Sequence, residues 1–286
     1  MLPDHHPASD AAVAVPASSY DSVAAGTLAA RLGVPRLVLL EKVGSTLDVA
    51  HALGQEGTPA GTLVLADRQT AGRGRQGRTW HSEPGRGIWL TLVEQPTGAE
   101  ALEVLSLRLG LAAAQALAPY TPAPVRLKWP NDVLAGGRKL AGILVEARWR
   151  EARVDWIAVG FGLNVRVPSA MAEAAALAPG TRRVAVLRAL VPALRQAVRA
   201  QGPLADEELA AYCALDAMRG RRCVEPLAGV VAGIDRRGGL LVETPEGRRT
   251  VRSGSLVMEP SSEDARGAQP DGDQRRASSP STAQRE

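Results

Sequence analysis

Aromatic side chains are nearly missing from this chain, at 3% of its residues, and Phe161 is the single phenylalanine. A core of stacked rings is therefore excluded, and Ala, Leu and Val must carry the burial. Each of the five tryptophans then asks for a reason. Cysteine is equally scarce. Cys213 and Cys223 are too few for a disulfide framework and stand at no metal-ligand spacing, which fits a reducing cytoplasm. No apolar run reaches the roughly 18 residues that a bilayer requires. The opening Met1-Leu2-Pro3-Asp4-His5-His6 has no basic stretch followed by an apolar one, so export is not expected and the chain is read as cytoplasmic. Charge of one sign is lacking too: a formal net charge of +4 does not by itself imply nucleic acid. Of the histidines, His5, His6 and His51 lie away from the motifs below.

At 286 residues the chain can bury one substantial core and a smaller second one. Residues 1–19, rich in Ala, Pro, Ser and Asp, are expected to be disordered, and so are 260–286, which hold almost nothing apolar and cannot offset the entropy of ordering. Between them, helices are expected over Ala24–Leu32 and Leu47–Leu53. Two more follow from helical spacing: Leu102, Leu105, Leu109, Ala113 and Ala116, then Val184, Leu187, Leu190, Leu194 and Val198. Strands are expected at Leu37–Val43, Leu63–Ala66, Ile88–Val93, Val125–Trp129, Lys139–Ala147 and Val154–Val159. The fold class is α+β, a mixed and mostly antiparallel sheet with helices on one side. Residues 20–218 make the main domain. Over 219–259, short strands (Val230–Ile234, Leu240–Glu243, Arg249–Val251) linked by turns suggest a separate small barrel.

Four segments carry chemistry. In Gln69-Thr70-Ala71-Gly72-Arg73-Gly74-Arg75-Gln76-Gly77-Arg78-Thr79-Trp80, closely spaced glycines can bring backbone N–H groups to an anion, and the arginines add bidentate donors. It is not a P-loop, since no Lys-Ser/Thr pair follows the last glycine. Such a loop alone could also be an RNA-binding patch. Lys128-Trp129-Pro130-Asn131-Asp132 ends a strand in a turn, where Asn and Asp often do no more than cap their own backbone. Lys139-Leu140-Ala141-Gly142-Ile143-Leu144 is an apolar strand with a lysine at its mouth, and Gly142 suggests close approach by a ligand or another backbone. Gly160-Phe161-Gly162-Leu163-Asn164 is a glycine-punctuated strand end with an amide.

In this order, and with Gly44-Ser45-Thr46 ahead of them, the four segments resemble the biotin–protein ligases, whose catalytic domain carries GRGRxGRxW, KWPND, KLAGIL and GxGxN. The resemblance spans about residues 37–258. It implies a synthetase-like catalytic domain with a C-terminal SH3-like barrel, and an enzyme that makes biotinyl-5′-adenylate from biotin and MgATP. That adenylate is then passed to a lysine of a biotin carboxyl carrier protein. By motif, Ser45, Thr46 and Gln69 would meet the biotin rings, and Arg73, Gly74 and Arg75 would close over biotin and its adenylate. Gly142 would line the biotin side. Arg78 would meet the ATP phosphates and Trp80 the adenine. Asn131, Asp132 and Asn164 would line the nucleotide side, with no dedicated protein metal site. Lys139 would neutralise both the biotin carboxylate and the α-phosphate, with Arg75 as its catalytic companion. Lys128 is the least defined of the set. The family commonly has Asn after Ser-Thr, whereas this chain has Leu47, which can neither donate nor accept through its side chain.

Thr27–Val34 reads like the opening of a helix-turn-helix, but the strand-like Leu37–Val43 leaves no recognition helix, so the form without a DNA-binding domain is expected. No DNA or membrane partner is expected, and the chain would be a monomer or a homodimer. Lipoate–protein ligases share the chemistry but lack KWPND. A nucleic-acid-binding protein using the Gly-Arg loop is the rival from another class.

Overall fold

The computed structural model describes residues 14–95, 98–171 and 173–259, so the expected C-terminal tail and most of the N-terminal one lie outside it. Three short strands, β1 (Val15–Pro16), β2 (Ser19–Tyr20) and β3 (Val23–Ala24), lead into helix α1 (Ala25–Leu32). Then come β4 (Leu37–Val43), α2 (Thr46–Gln55), β5 (Thr62–Gln69), β6 (Gly87–Glu94) and α3 (Glu100–Leu117). A run of four strands follows: β7 (Val125–Lys128), β8 (Asp132–Ala135), β9 (Arg138–Arg150) and β10 (Arg153–Asn164). Helices α4 (Arg183–Val198) and α5 (Asp206–Leu215) precede the C-terminal strands β11 (Arg222–Glu225), β12 (Gly229–Ile234), β13 (Leu240–Thr244), β14 (Gly247–Val251) and β15 (Val257–Met258).

The main sheet runs β1-β4-β5-β6-β10-β9-β8-β7, antiparallel except for the β4–β5 pair. Its two faces follow from the period-2 alternation of strand side chains. Leu63, Leu65, Leu90, Leu92, Ile157 and Val159 point into the large core beneath α1, α3 and α4. Val64, Ala66, Val93 and Ala158 point the other way, where Leu47, Ala50 and Leu53 of α2 cover them. Helices thus flank both faces, not one, because α2 carries its own apolar stripe. Helix α3 is long and apolar enough to cross a membrane by composition alone, but its Leu105, Leu109, Ala113 and Leu117 are packed in the core.

Residues 14–19 take part in the fold, against the expectation that residues 1–19 are disordered. Val15 pairs with Lys42 and Pro16 with Leu40 on the sheet edge, where a proline costs no ladder bond. Tyr20 is 2% exposed, with the Arg183 guanidinium 4.2 Å over its ring. Asp132 is not a turn residue: it opens β8, opposite Lys128 and Gly142. Helix α5 has no counterpart among the expected elements. Its first turn carries Asp206, Glu207 and Glu208, and the Glu208 carboxylate accepts from the Ala205 N–H at 2.8 Å. The C-terminal strands form a five-stranded antiparallel sheet, ordered β14-β13-β12-β11-β15.

Candidate active site

The site sits on the α2 face of the sheet, and alternation explains why glycines are found there. Gly142 of β9 and Gly162 of β10 are register partners, so both face the same side. A Cβ at Gly142 would lie 2.7 Å from the Trp80 ring, and one at Gly162 would lie 2.5 Å from it. The indole therefore lies against the bare backbone of two strands. The close approach expected at Gly142 is made by a side chain of this same chain. Gly160, one step along that face, leaves room for Leu47, whose side chain is buried.

Trp80 is delivered there by a small hairpin. Arg73 bridges to Thr79, the Gly74 N–H donates to the Arg78 carbonyl at 2.7 Å, and the Trp80 N–H donates to the Gly72 carbonyl at 2.8 Å. At the tip, Gln76 and Gly77 both take positive φ, at 56° and 71°. Only the glycine adopts this without cost. The hairpin is tied down through Arg73, which pairs with Asp48 at 2.9 Å and reaches Glu146 at 3.5 Å. Glu146 also meets His51 Nε2 at 2.6 Å. His51 thus lies beside the Gly-Arg loop and not away from it, because the turn of α2 brings it over the strand face that carries Glu146.

Hairpin, strands and α2 enclose a cavity of about 270 Å³. Its walls include Ser45, Thr46, Gln69, Arg73, Gly74, Arg75, Arg78, Trp80, Asn131, Asp132, Lys139, Gly142 and Asn164, with Leu47 and Lys128 beside them. One end is a polar cluster. Gln69 Oε1 accepts from the Thr46 N–H at 2.8 Å and from Thr46 Oγ1 at 3.0 Å, while Gln69 Nε2 donates to Ser82 Oγ at 3.0 Å. Thr91 Oγ1 donates to Thr46 Oγ1 at 2.9 Å, and Ser45 caps α2 by accepting from the Leu47 N–H.

The other end is cationic. Arg75, Arg78, Lys128 and Lys139 line the cavity with Asp132 as the lining carboxylate, while Arg73 is paired with Asp48 and Glu146. Lys139 Nζ is 2.8 Å from Asp132 and 5.1 Å from the Trp80 ring centroid. Arg75 donates to Asn131 Oδ1 at 3.4 Å, and Asn131 Nδ2 donates to the Ile143 carbonyl at 2.7 Å. Asn164 donates to the Lys139 carbonyl at 3.4 Å, steadying the mouth of β9. Burial pushes the Arg75 pKa down, against the pull of Asp132. Burial does the same to Lys128, and the neighbouring Lys139, Arg221 and Arg78 add to it while Asp132 opposes. Such an excess of positive charge in a partly dry pocket favours anionic ligands.

Several residues of the site escaped the motif reading. Behind the lining, Ser82 in the loop before β6 and Thr91 in β6 support the polar end through Gln69 and Thr46. Met171 comes from the segment after β10, and Ser255 and Leu256 come from the loop between β14 and β15 of the C-terminal sheet. Nothing in the motifs points to these; strand alternation could have singled out Thr91, the one polar residue in the apolar run of β6. The Arg86 region, unusual as sequence, has a local role. Arg86 pairs with Glu83 at 3.0 Å and donates to the Val167 carbonyl at 2.9 Å, fastening the loop to the segment after β10.

Fold and cavity together define a pocket on a mixed sheet, with hydrogen-bonding groups at one end and an excess of positive charge at the other. The comparisons with known proteins specify the class. Residues 40–164 match the biotin/lipoate A/B protein ligase family, and residues 225–258 match the biotin protein ligase C-terminal domain. The bifunctional ligase/repressor BirA of Bacillus spizizenii is 33% identical over 239 residues, covering 78% of this chain and 74% of that protein. The biotin–[acetyl-CoA-carboxylase] ligase of Paracoccus denitrificans is 33% identical over 227 residues, covering 71% of this chain and 92% of that one. Among solved structures, the Aquifex aeolicus biotin protein ligase in complex with biotin and ATP superposes with a TM-score of 0.67 at 29% identity, over 79% of this chain and all of that one. The chain belongs to the biotin/lipoate A/B protein ligase family.

Proposed function

We infer that the protein is a biotin–protein ligase, joining biotin to AMP at the expense of ATP and then transferring biotin to a lysine of a carboxylase carrier subunit. The observation that supports this most strongly is the joining of two ends in one cavity: a hydrogen-bonding cluster at Thr46 and Gln69, and the cations Arg75, Arg78, Lys128 and Lys139 around Asp132. The first suits a neutral ureido ring, and the second a carboxylate facing a triphosphate.

In the first step a carboxylate oxygen of biotin attacks the α-phosphorus, a C–O–P anhydride forms, and pyrophosphate leaves. Both reactants are anions, so catalysis is positioning plus positive charge aimed at the oxygens. Lys139 sits between them, and Arg75 closes from the hairpin, with Arg73 and Gly74 forming the loop over biotin. Ser45, Thr46 and Gln69 hold the ring, beside Gly142. Arg78 faces the phosphates of ATP, Trp80 offers its indole to the adenine, and Asn131, Asp132 and Asn164 line the nucleotide side. Lys128 adds charge behind Asp132. In the second step the carrier amine attacks the anhydride carbonyl and AMP leaves. No nucleophilic side chain of the enzyme takes part.

Magnesium enters with ATP. Among the described residues no three His, Cys, Asp or Glu side chains converge. A magnesium ion arriving with ATP would be held chiefly by phosphate oxygens, with Asp132 and Asn131 as the protein groups that would meet it on the nucleotide side. Bound there, it would neutralise phosphate charge. The carrier is a cytoplasmic carboxylase subunit, and the enzyme works in that compartment.

Purified protein with biotin, ATP, magnesium and a biotin carboxyl carrier domain should release pyrophosphate and label one carrier lysine. Lipoate in excess should not compete. Labelling with lipoate in place of biotin would overturn the assignment of substrate.

A further inference from the structure

The contact that the motif reading least anticipates joins the hairpin to the C-terminal sheet. Ser255 Oγ donates to Gln76 Oε1 at 2.6 Å and accepts from Arg78 Nη2 at 3.1 Å. One hydroxyl therefore satisfies both residues flanking Gly77, across 177 and 179 positions of sequence. Gln76 is one of the few non-glycine residues with positive φ, and such a conformation persists where the surroundings over-determine it. The Ser255 hydroxyl is such a determinant. The same segment places Ser255 and Leu256 in the cavity wall.

The C-terminal sheet can transmit position because it is itself seated on the catalytic body. Trp129 Nε1 donates to the Gly238 carbonyl at 2.9 Å, and the Leu204 N–H donates to the Arg236 carbonyl at 2.8 Å. Trp129 belongs to the turn that carries Asn131 and leads into Asp132 at the start of β8. One anchor thus lies beside the nucleotide-side residues, and Ser255 reaches the hairpin from the same sheet.

We propose that Ser255 is a positioning residue for the adenylation step: it orients the Arg78 guanidinium toward the phosphates and fixes the tip of the Gly-Arg hairpin, so that the C-terminal sheet takes part in nucleotide binding. This rests on the reading of the site as an adenylate-forming one. An arginine that must find its own rotamer before each binding event loses affinity for its ligand, whereas a prepositioned one does not.

The test uses the full chain and follows pyrophosphate release and carrier labelling. Ser255→Ala should raise the KM for ATP about tenfold, the scale of one charge-assisted hydrogen bond. Its kcat and its KM for biotin should stay within about twofold, and transfer from added biotinyl-adenylate should be unchanged. Ser255→Thr, which keeps the hydroxyl, should restore the ATP KM. In an Arg78→Ala background, Ser255→Ala should add little, since the two act as a unit. An unchanged ATP KM in Ser255→Ala, no recovery in Ser255→Thr, or additivity with Arg78→Ala would each overturn the proposal. Absence of pyrophosphate release from the wild-type protein would instead sink the assigned activity.

Discussion

In the proposed reaction Lys139 meets the charges of both substrates, and in the structure its Nζ pairs with Asp132 at 2.8 Å. Lys139→Ala should lower adenylate formation by about 100-fold or more, the usual scale for losing a preorganised charge on developing negative oxygens. The side chain is partly exposed at the mouth of β9, so the far-ultraviolet circular dichroism and the urea midpoint should barely move. Normal pyrophosphate release by the variant would remove Lys139 from the chemistry. The paired glycines make a second residue-level case. Gly162→Ala puts a methyl group 2.5 Å from the Trp80 ring, and neither strand backbone can retreat. The indole must shift, so the KM for ATP should rise by about tenfold or more, with biotin binding less affected. Equal loss of both would place Trp80 elsewhere. These residues were legible because glycine, lysine and arginine at those spacings have few purposes in a strand or loop. Ser82, Thr91 and Ser255 were not, because a hydroxyl is common everywhere and only tertiary contact gives it a role.

At the scale of elements, periodicity carried most of the reading. Strand β4 falls where its apolar run lies, and α3 and α4 follow their spacing of leucines and valines. Strand β8 was hidden by its length, four residues following Pro130-Asn131. Helix α5 was hidden by a mixed surface on which only Tyr212 is buried, so no apolar stripe announces it. Beside the packing of Tyr212, Leu209 and Leu215 against the core, a buried charge helps to hold α5. Arg108, 3% exposed in the middle of α3, donates to both Glu208 oxygens at 2.8 and 2.9 Å and to the carbonyls of Gly202 and Pro203 at 2.9 and 2.7 Å. Arg108→Ala would leave those carbonyls and the carboxylate without partners, and a loss of about 3 kcal/mol in urea unfolding is expected. The same pair has a pH signature. Hydrogen bonding to Arg108 holds the Glu208 carboxyl below its ordinary value, so the unfolded chain binds that proton more readily. The stabilisation is complete above the ordinary carboxylate range and fades as pH falls through the folded-state value. Glu208→Gln should therefore show a smaller drop in urea midpoint between about pH 6 and about pH 3 than the wild type does. An identical drop would place the acid sensitivity elsewhere.

For the whole molecule, the question is whether the C-terminal sheet is an independent bead or part of one working body. Its interface is a set of specific contacts. The indole N–H of Trp129 is bonded to the Gly238 carbonyl, Gly238 lies against Leu107 and Val104 of α3, and Arg237 pairs with Glu103 at 3.1 Å. The ion pair is exposed and contributes little. The buried indole bond is different, since Trp129 is 3% exposed and water cannot easily replace its partner. Trp129→Phe keeps the ring in the core while deleting the donor, so the global stability should fall by only about 1–2 kcal/mol. The informative readout is local. If the sheet is seated through this bond, amide hydrogen exchange should speed up across 236–258 and at the hairpin residues 74–78, with the strands of the main sheet unchanged. Faster exchange in 236–258 alone would mean that the sheet loosens without carrying the hairpin with it. The link from Trp129 through Gly238 to Ser255 would then be spatial adjacency and not mechanical coupling.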